Sequence, residues 1–146
     1  TARNFTPDDF ALLHPGGQLG RNLLLTAREV MHTGSNLPKV YSEATLREVV
    51  IEMTRPNLGI VCICDANDKL LGILTDGDIR RFLTRSSDLN TKAVEIMTSK
   101  PLVVQPDQLL GEALTLMEAR KVYVVPIVDA SGLCMGVLRM HDILTS

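Results

Sequence analysis

The sequence has no tryptophan, and aromatic residues make up only 3% of its 146 residues. Stacking platforms for single-stranded nucleic acid are therefore scarce. Neither charge sign dominates: 15 basic residues stand against 17 acidic ones, a net charge of −2. That balance excludes a basic nucleic-acid-binding surface as the main business of the chain. Long apolar runs are missing too. The longest apolar-plus-glycine runs, such as Leu58 to Cys64, are seven residues, against the roughly 20 needed to cross a bilayer. No signal peptide is evident at the N-terminus. Cysteines number three, Cys62, Cys64 and Cys134, an odd count that argues against a disulfide framework. Cys62 and Cys64, two apart in an apolar run, face one side of a strand and read as small buried residues. The histidines, His14, His32 and His141, are scattered and form no metal motif. What the chain does have is 45% hydrophobic residues, enough to build a core. It begins at Thr1 rather than Met, which suggests a piece of something longer.

An internal repeat organises the chain. Shifted by 64, residues 42–82 fall on 106–146 without a gap, and 11 of the 41 aligned pairs are identical. They include Asp65/Asp129, Gly72/Gly136, Leu74/Leu138 and Asp78/Asp142. Upstream, Val30-Met31-His32-Thr33 echoes Ile96-Met97-Thr98-Ser99 at a shift of 66.

Each copy carries the same punctuation. Leu46, Val49, Val50 and Met53 recur at helical spacing, behind a Thr45/Glu48 capping box. Arg55-Pro56-Asn57 ends that helix. Residues 60–64 read as a buried strand, 65–68 as a turn and 69–74 as a second strand. A short helix opens at Thr75. The second copy predicts helix 109–119, strands 122–128 and 133–138, and helix 140–145. Extended pieces at Lys39-Val40-Tyr41 and Leu102-Val103-Val104 precede the copies. The expected class is α/β in the α+β sense: tandem β-α-β-β-α repeats packed as a pseudo-symmetric pair. Units of about 55 residues bury little surface alone, so two would share a core. The expected boundaries are 1–25 for the tail of an upstream domain plus a linker, 26–90 for the first unit and 91–146 for the second. Within 1–25, Thr6-Pro7-Asp8-Asp9 is a helix start, and Pro15-Gly16-Gly17 places His14 at the helix end.

Chemistry is concentrated in Gly72-Ile73-Leu74-Thr75-Asp76-Gly77-Asp78. A glycine in a strand is followed by a hydroxyl and a carboxylate at a helix start. Two readings stand side by side. Helix amides and the Thr75 hydroxyl can donate to a phosphate, Asp78 can accept from ribose hydroxyls, and Gly72 can admit a base. Alternatively, Thr75 is an N-cap serving the Asp78 amide. The second copy has Arg139 in place of the hydroxyl and keeps Asp142. Arg139 can meet a phosphate or fill the pocket and pair with Asp142, so the two sites are not equivalent. Arg80 and Arg81 read as a solvated face able to extend phosphate contacts. Nothing assembles a catalytic constellation.

The duplicated unit, with Gly72-Ile-Leu-Thr75-Asp-Gly-Asp78 and Met97-Thr98-Ser99-Lys100-Pro101, resembles a CBS (cystathionine-β-synthase) domain pair over roughly residues 27–146. The resemblance implies a disc-shaped module that dimerises and binds adenosine nucleotides, with Gly72, Thr75 and Asp78 at one site and Arg139 and Asp142 at the other. Phe10-Ala-Leu-Leu-His14-Pro15-Gly16-Gly17-Gln18-Leu19-Gly20-Arg21 further resembles the arabinose 5-phosphate isomerase family, in which a sugar-isomerase (SIS) domain precedes a CBS pair. That implies a catalytic role for His14 in the intact enzyme and a cytoplasmic protein. It also implies a homodimer of CBS pairs within a homotetramer and an adenine-nucleotide or nucleotide-sugar effector. No catalytic cofactor, metal, membrane or nucleic-acid partner is expected. A ligand-free assembly module of the same enzyme is the competing expectation.

Overall fold

The computed structural model describes residues 23–55 and 57–146. The N-terminal helix start at Thr6 and His14 lie outside these residues. In the first copy, β1 (Lys39–Tyr41), α1 (Leu46–Thr54), β2 (Ile60–Cys64), β3 (Leu70–Thr75) and α2 (Asp76–Leu83) follow one another. In the second copy, α3 (Leu110–Arg120), β4 (Val124–Val128), β5 (Cys134–Arg139) and α4 (Met140–Thr145) repeat the pattern. A short helical turn at Ala27–Val30 and a 3-10 turn at Gly34–Asn36 precede β1, and a further helical turn at Ala93–Ile96 falls between α2 and α3. They are three or four residues long, too short for a periodic signal in the sequence.

Local chemistry sets these elements as expected. The Thr45 hydroxyl accepts from the Glu48 amide, and the Glu48 carboxylate accepts from the Thr45 amide at 3.0 Å. Both hairpins turn on an aspartate. Asp65 Oδ1 accepts from the Asn67 and Lys69 amides, and Asp129 Oδ1 from the Ser131 and Leu133 amides. Each hairpin shows a register shift at the same place, Ile63/Cys64 and Ile127/Val128.

The sheets differ. The first has three strands in the order β1-β2-β3, with β1 parallel to β2. The second has only β4 and β5, and the extended piece before it makes a single parallel bridge, Val104 to Ile127. Leu102–Val104 is thus not a strand, contrary to expectation. The reason is one residue. In the first copy the Cys62 amide donates to the Pro38 carbonyl at 2.9 Å. Cys62 corresponds to Pro126, and proline has no N–H to give.

Residues that alternate along the strands sort into three cores. Val61, Ile63 and Leu74 pack with Leu46, Val49 and Phe82 in the first copy. Val125, Ile127 and Leu138 pack with Leu110, Met117 and Ile143 in the second. A third cluster joins the copies through Ile60, Cys62, Cys64 and Ile73 on one side and Cys134 and Val137 on the other. Cys62 and Cys64 therefore share a face and are fully buried. Contact with Cys62, together with burial, pushes the Cys134 thiol up to about 12. Contact with Cys134 and burial raise Cys64 as well. These thiols stay protonated and serve as packing.

The lead-in segments are exchanged. Ala27 and Met31, assigned by sequence to the first unit, pack in the second core. Ala93, Ile96 and Met97, assigned to the second, pack in the first. Leu23, expected in a linker, is fully buried in the second core. Backbone pairs hold each crossing: His32 with Val137 at 2.9 and 3.0 Å, and Thr98 with Ile73 at 2.9 and 3.0 Å.

Candidate functional site

Both carboxylates of the sequence motif sit where a strand turns into a helix, and both lie beside a crossing segment from the other copy. At the first site, Thr75 is extended and caps α2. Its hydroxyl accepts from the Asp78 amide at 3.3 Å and donates to Asp78 Oδ2 at 3.1 Å. Asp78 Oδ2 also accepts from the Thr75 amide at 2.9 Å. The N-cap reading is thus realised. It leaves the outer oxygen, Oδ1, to Arg81 Nη2 at 2.5 Å. The Arg81 side chain is 74% exposed, so this ion pair is weakly held.

A cleft of about 340 Å³ opens over this turn, within the size range of small-molecule sites. Thr75, Asp78 and Arg81 form one wall, and Thr98, Lys100 and Pro101 of the crossing segment form another. Ile73, Leu102, Val122 and Val124 add apolar surface, and Arg120 adds a third cation. Three cations against one carboxylate make an anion-favouring cleft in a chain of net charge −2. A central cleft of about 780 Å³ shares Thr75 and Arg81 with it and reaches Arg139 and His141. It lies between the two copies: Leu58 and Val122, Gly59 and Tyr123, and Thr75 and Arg139 are pairs under the 64-residue shift.

Gly72 is explained by the chain rather than by a base. A Cβ there would stand 2.5 Å from the Thr98 carbonyl oxygen and 2.6 Å from the Met97 sulfur. Gly136 answers the same need, with the His32 carbonyl oxygen at 2.7 Å. Both glycines admit the crossing segment.

The second site is built differently. Asp142 Oδ1 accepts from Arg139 Nη2 at 2.7 Å and from Nε at 3.2 Å. Oδ2 accepts from the Arg139 amide at 2.8 Å, from Arg139 Nε at 3.2 Å and from His32 Nε2 at 3.0 Å. An ionised carboxylate only accepts, so the imidazole carries its hydrogen on Nε2. Burial pushes the Asp142 carboxyl up. Arg139, through its side chain and its amide, and His32 outweigh that and hold it below the ordinary value. The sequence reading had Arg139 against Asp142 as one alternative. It missed His32, which meets Asp142 across 110 residues. The only signal was the 66-residue echo, which sets His32 opposite Thr98. Among the described residues no group of three His, Cys, Asp or Glu side chains is placed to hold a metal ion.

The CBS domain family model matches residues 27–85 and 93–146, most of the chain. The chain belongs to the CBS domain family. Its two copies are a CBS pair, and solved CBS structures share the fold. A CBS domain protein from Pyrobaculum aerophilum, complexed with AMP, superposes with a TM-score of 0.74 at 22% identity, covering 84% of this chain and 92% of that one. The CBS pair of protein MJ0100, in complex with 5′-methylthioadenosine and S-adenosyl-L-methionine, gives 0.72 at 23% identity over 82% and 93%. Among curated proteins, arabinose 5-phosphate isomerase KdsD of Salmonella typhi is 47% identical over 144 residues, 98% of this chain. The chain spans 44% of that relative's length.

Proposed function

We propose that this CBS pair is the regulatory, nucleotide-binding part of an arabinose 5-phosphate isomerase. The observation that carries the reading is the cleft at Asp78, where an anion-favouring wall meets apolar surface and the outer oxygen of the carboxylate is held by one exposed arginine. Ribose hydroxyls donate to Asp78 Oδ1 once Arg81 swings off it. The released guanidinium then joins Lys100 and Arg120 against the phosphate, and Thr75 turns its hydroxyl to the same group. Ile73, Pro101 and Val122 offer the base an apolar seat. An adenine nucleotide or a nucleotide-sugar suits this wall. Structural neighbours with AMP and with S-adenosyl-L-methionine support the adenine class. Similarity to KdsD proteins supports the enzyme. On this reading a SIS domain interconverts ribulose 5-phosphate and arabinose 5-phosphate for lipopolysaccharide or capsule synthesis in the cytoplasm. His14 serves there as acid or base, and CBS pairs dimerise within a homotetramer.

Isothermal calorimetry with adenine and cytidine nucleotides tests the reading. Heat that saturates and vanishes in Asp78→Ala is expected. Silence at millimolar nucleotide, or binding indifferent to Asp78→Ala, overturns it. The second reading is a ligand-free assembly module, favoured by the closed site at Asp142. It predicts a silent titration and a dimer by sedimentation.

A further inference from the structure

We infer that the chain's own side chains close the second cleft, the counterpart at Asp142 of the cleft at Asp78. Arg139 and His32 take the place at Asp142 that a ribose takes at Asp78, so each chain holds one nucleotide. The inference rests on reading the first cleft as a nucleotide seat.

The two positions that close the second cleft are the same two that are small hydroxyls in the first. Arg139 corresponds to Thr75 under the 64-residue shift, and His32 to Thr98 under the 66-residue shift. The spatial frame agrees. Thr98 bridges to Ile73 and His32 bridges to Val137, and Ile73 and Val137 are themselves equivalent. Replacing two threonines by a guanidinium and an imidazole fills the space with donors. Five hydrogen bonds from Arg139 and His32 reach the two oxygens of Asp142. A carboxylate offers about four lone-pair sites, so none is left for a ribose hydroxyl.

Exposure separates the clefts as well. Opening the first requires moving Arg81, which is 74% exposed and has water as a ready alternative. Opening the second requires stripping two partners, 30% and 28% exposed, from a carboxylate that is 9% exposed. His32 cannot leave with its backbone, because both of its main-chain bonds to Val137 pin the crossing. Thr33 adds a third tie, its hydroxyl donating to the Met135 carbonyl at 3.0 Å. Asp78 lines the 340 Å³ cleft, and Asp142 lines neither that cleft nor the central one.

The test is calorimetric stoichiometry with AMP as the probe on the 146-residue chain. The parent chain is expected to bind one AMP, lost in Asp78→Ala. The variant His32→Thr/Arg139→Thr gives the second cleft the residues of the first and is expected to bind two, the added site vanishing with Asp142→Ala. The reverse variant, Thr75→Arg/Thr98→His, is expected to bind none. A parent chain that binds two overturns the inference. So does a folded His32→Thr/Arg139→Thr variant that still binds one. If that variant does not fold, Arg139→Thr alone replaces it and is read the same way. If the parent binds no AMP, the nucleotide reading of the first cleft falls by itself. The double variant then decides the inference: an Asp142-dependent site upholds it and silence overturns it.

Discussion

At the end of β3 the chain leaves Asp78 to an exposed arginine one helical turn away. At the end of β5 the equivalent Asp142 is gripped by Arg139 of its own turn and by His32 from 110 residues upstream. The surrounding frame is the same in both places: a glycine admitting a crossing segment, a strand, and a short helix carrying the carboxylate at its third position. The difference shows what a duplication leaves free to change. Backbone-dictated residues, Gly72/Gly136 and Leu74/Leu138, are kept in both copies, because a Cβ or a lost side chain would disturb packing. Residues facing the cleft have no such constraint, and there the copies part. One carboxylate stands available and the other is spent inside the protein. The sheets show the same freedom: Pro126 removes one amide, and the second copy loses a strand without losing its core.

Substitutions at matched positions test this contrast. The largest effect belongs to the cores. Leu74→Ala and Leu138→Ala each delete a fully buried side chain and should cost about 2–5 kcal/mol. Chemical denaturation should show one cooperative transition for both, since the third cluster ties the copies together. Two separated transitions would mean that the copies fold independently.

Next come the glycines. Gly72→Ala and Gly136→Ala press a methyl group on a carbonyl oxygen of the crossing segment, and each should cost about 1–3 kcal/mol. Gly72→Ala should be the worse, because its clash is 2.5 Å against 2.7 Å. Equal melting temperatures for the two variants would refute that ranking.

The carboxylates come third. Arg139→Ala leaves a buried acceptor short of its main donor and should cost about 1–3 kcal/mol. Arg81→Ala, at an exposed pair, should cost less than about 1 kcal/mol. The same contrast has a pH signature. The folded chain holds the Asp142 carboxyl below its ordinary value of 3.8. Its contribution to stability is therefore complete above that value and is lost as pH falls through the lower, folded value. Asp142→Asn should flatten the acid limb of a stability-versus-pH curve, and an unchanged limb would show that the latch does not form.

The smallest effect is at Pro126. Pro126→Val restores an amide opposite the Leu102 carbonyl. The hydrogen bond gained and the chain entropy restored nearly offset each other, leaving a net change of about 0.5 kcal/mol or less. Hydrogen exchange is the sharper readout. A protected amide at position 126 is expected if the missing donor alone keeps the second sheet at two strands.

Much of the fold was legible because its signals are local. The capping box at Thr45 and Glu48, the Asp65 and Asp129 turns, and the alternation that buries Cys62 with Cys64 need only neighbouring residues to form. The helix expected at 109–119 runs Leu110–Arg120, and the strand expected at 122–128 begins at Val124. Those shifts are the ordinary play of element ends. Thr75 and Asp78 were legible as a cap and as a candidate seat for the same reason, since strand, hydroxyl and carboxylate lie within four residues.

Period and spacing establish that one α-β-β-α unit occurs twice, and which carboxylate each copy carries. Which carboxylate faces an open cleft depends on contacts between the copies. Period and spacing describe how a chain relates to its neighbours. His32 reaches Asp142 only because each lead-in segment crosses to the opposite copy, and that exchange leaves no trace in either repeat. The 66-residue echo is the same whether the segments pack at home or across. Only the burial of Ala27 and Ala93 in opposite cores fixes the answer, and with it a guanidinium and an imidazole on one carboxylate and a single exposed arginine on the outer oxygen of the other.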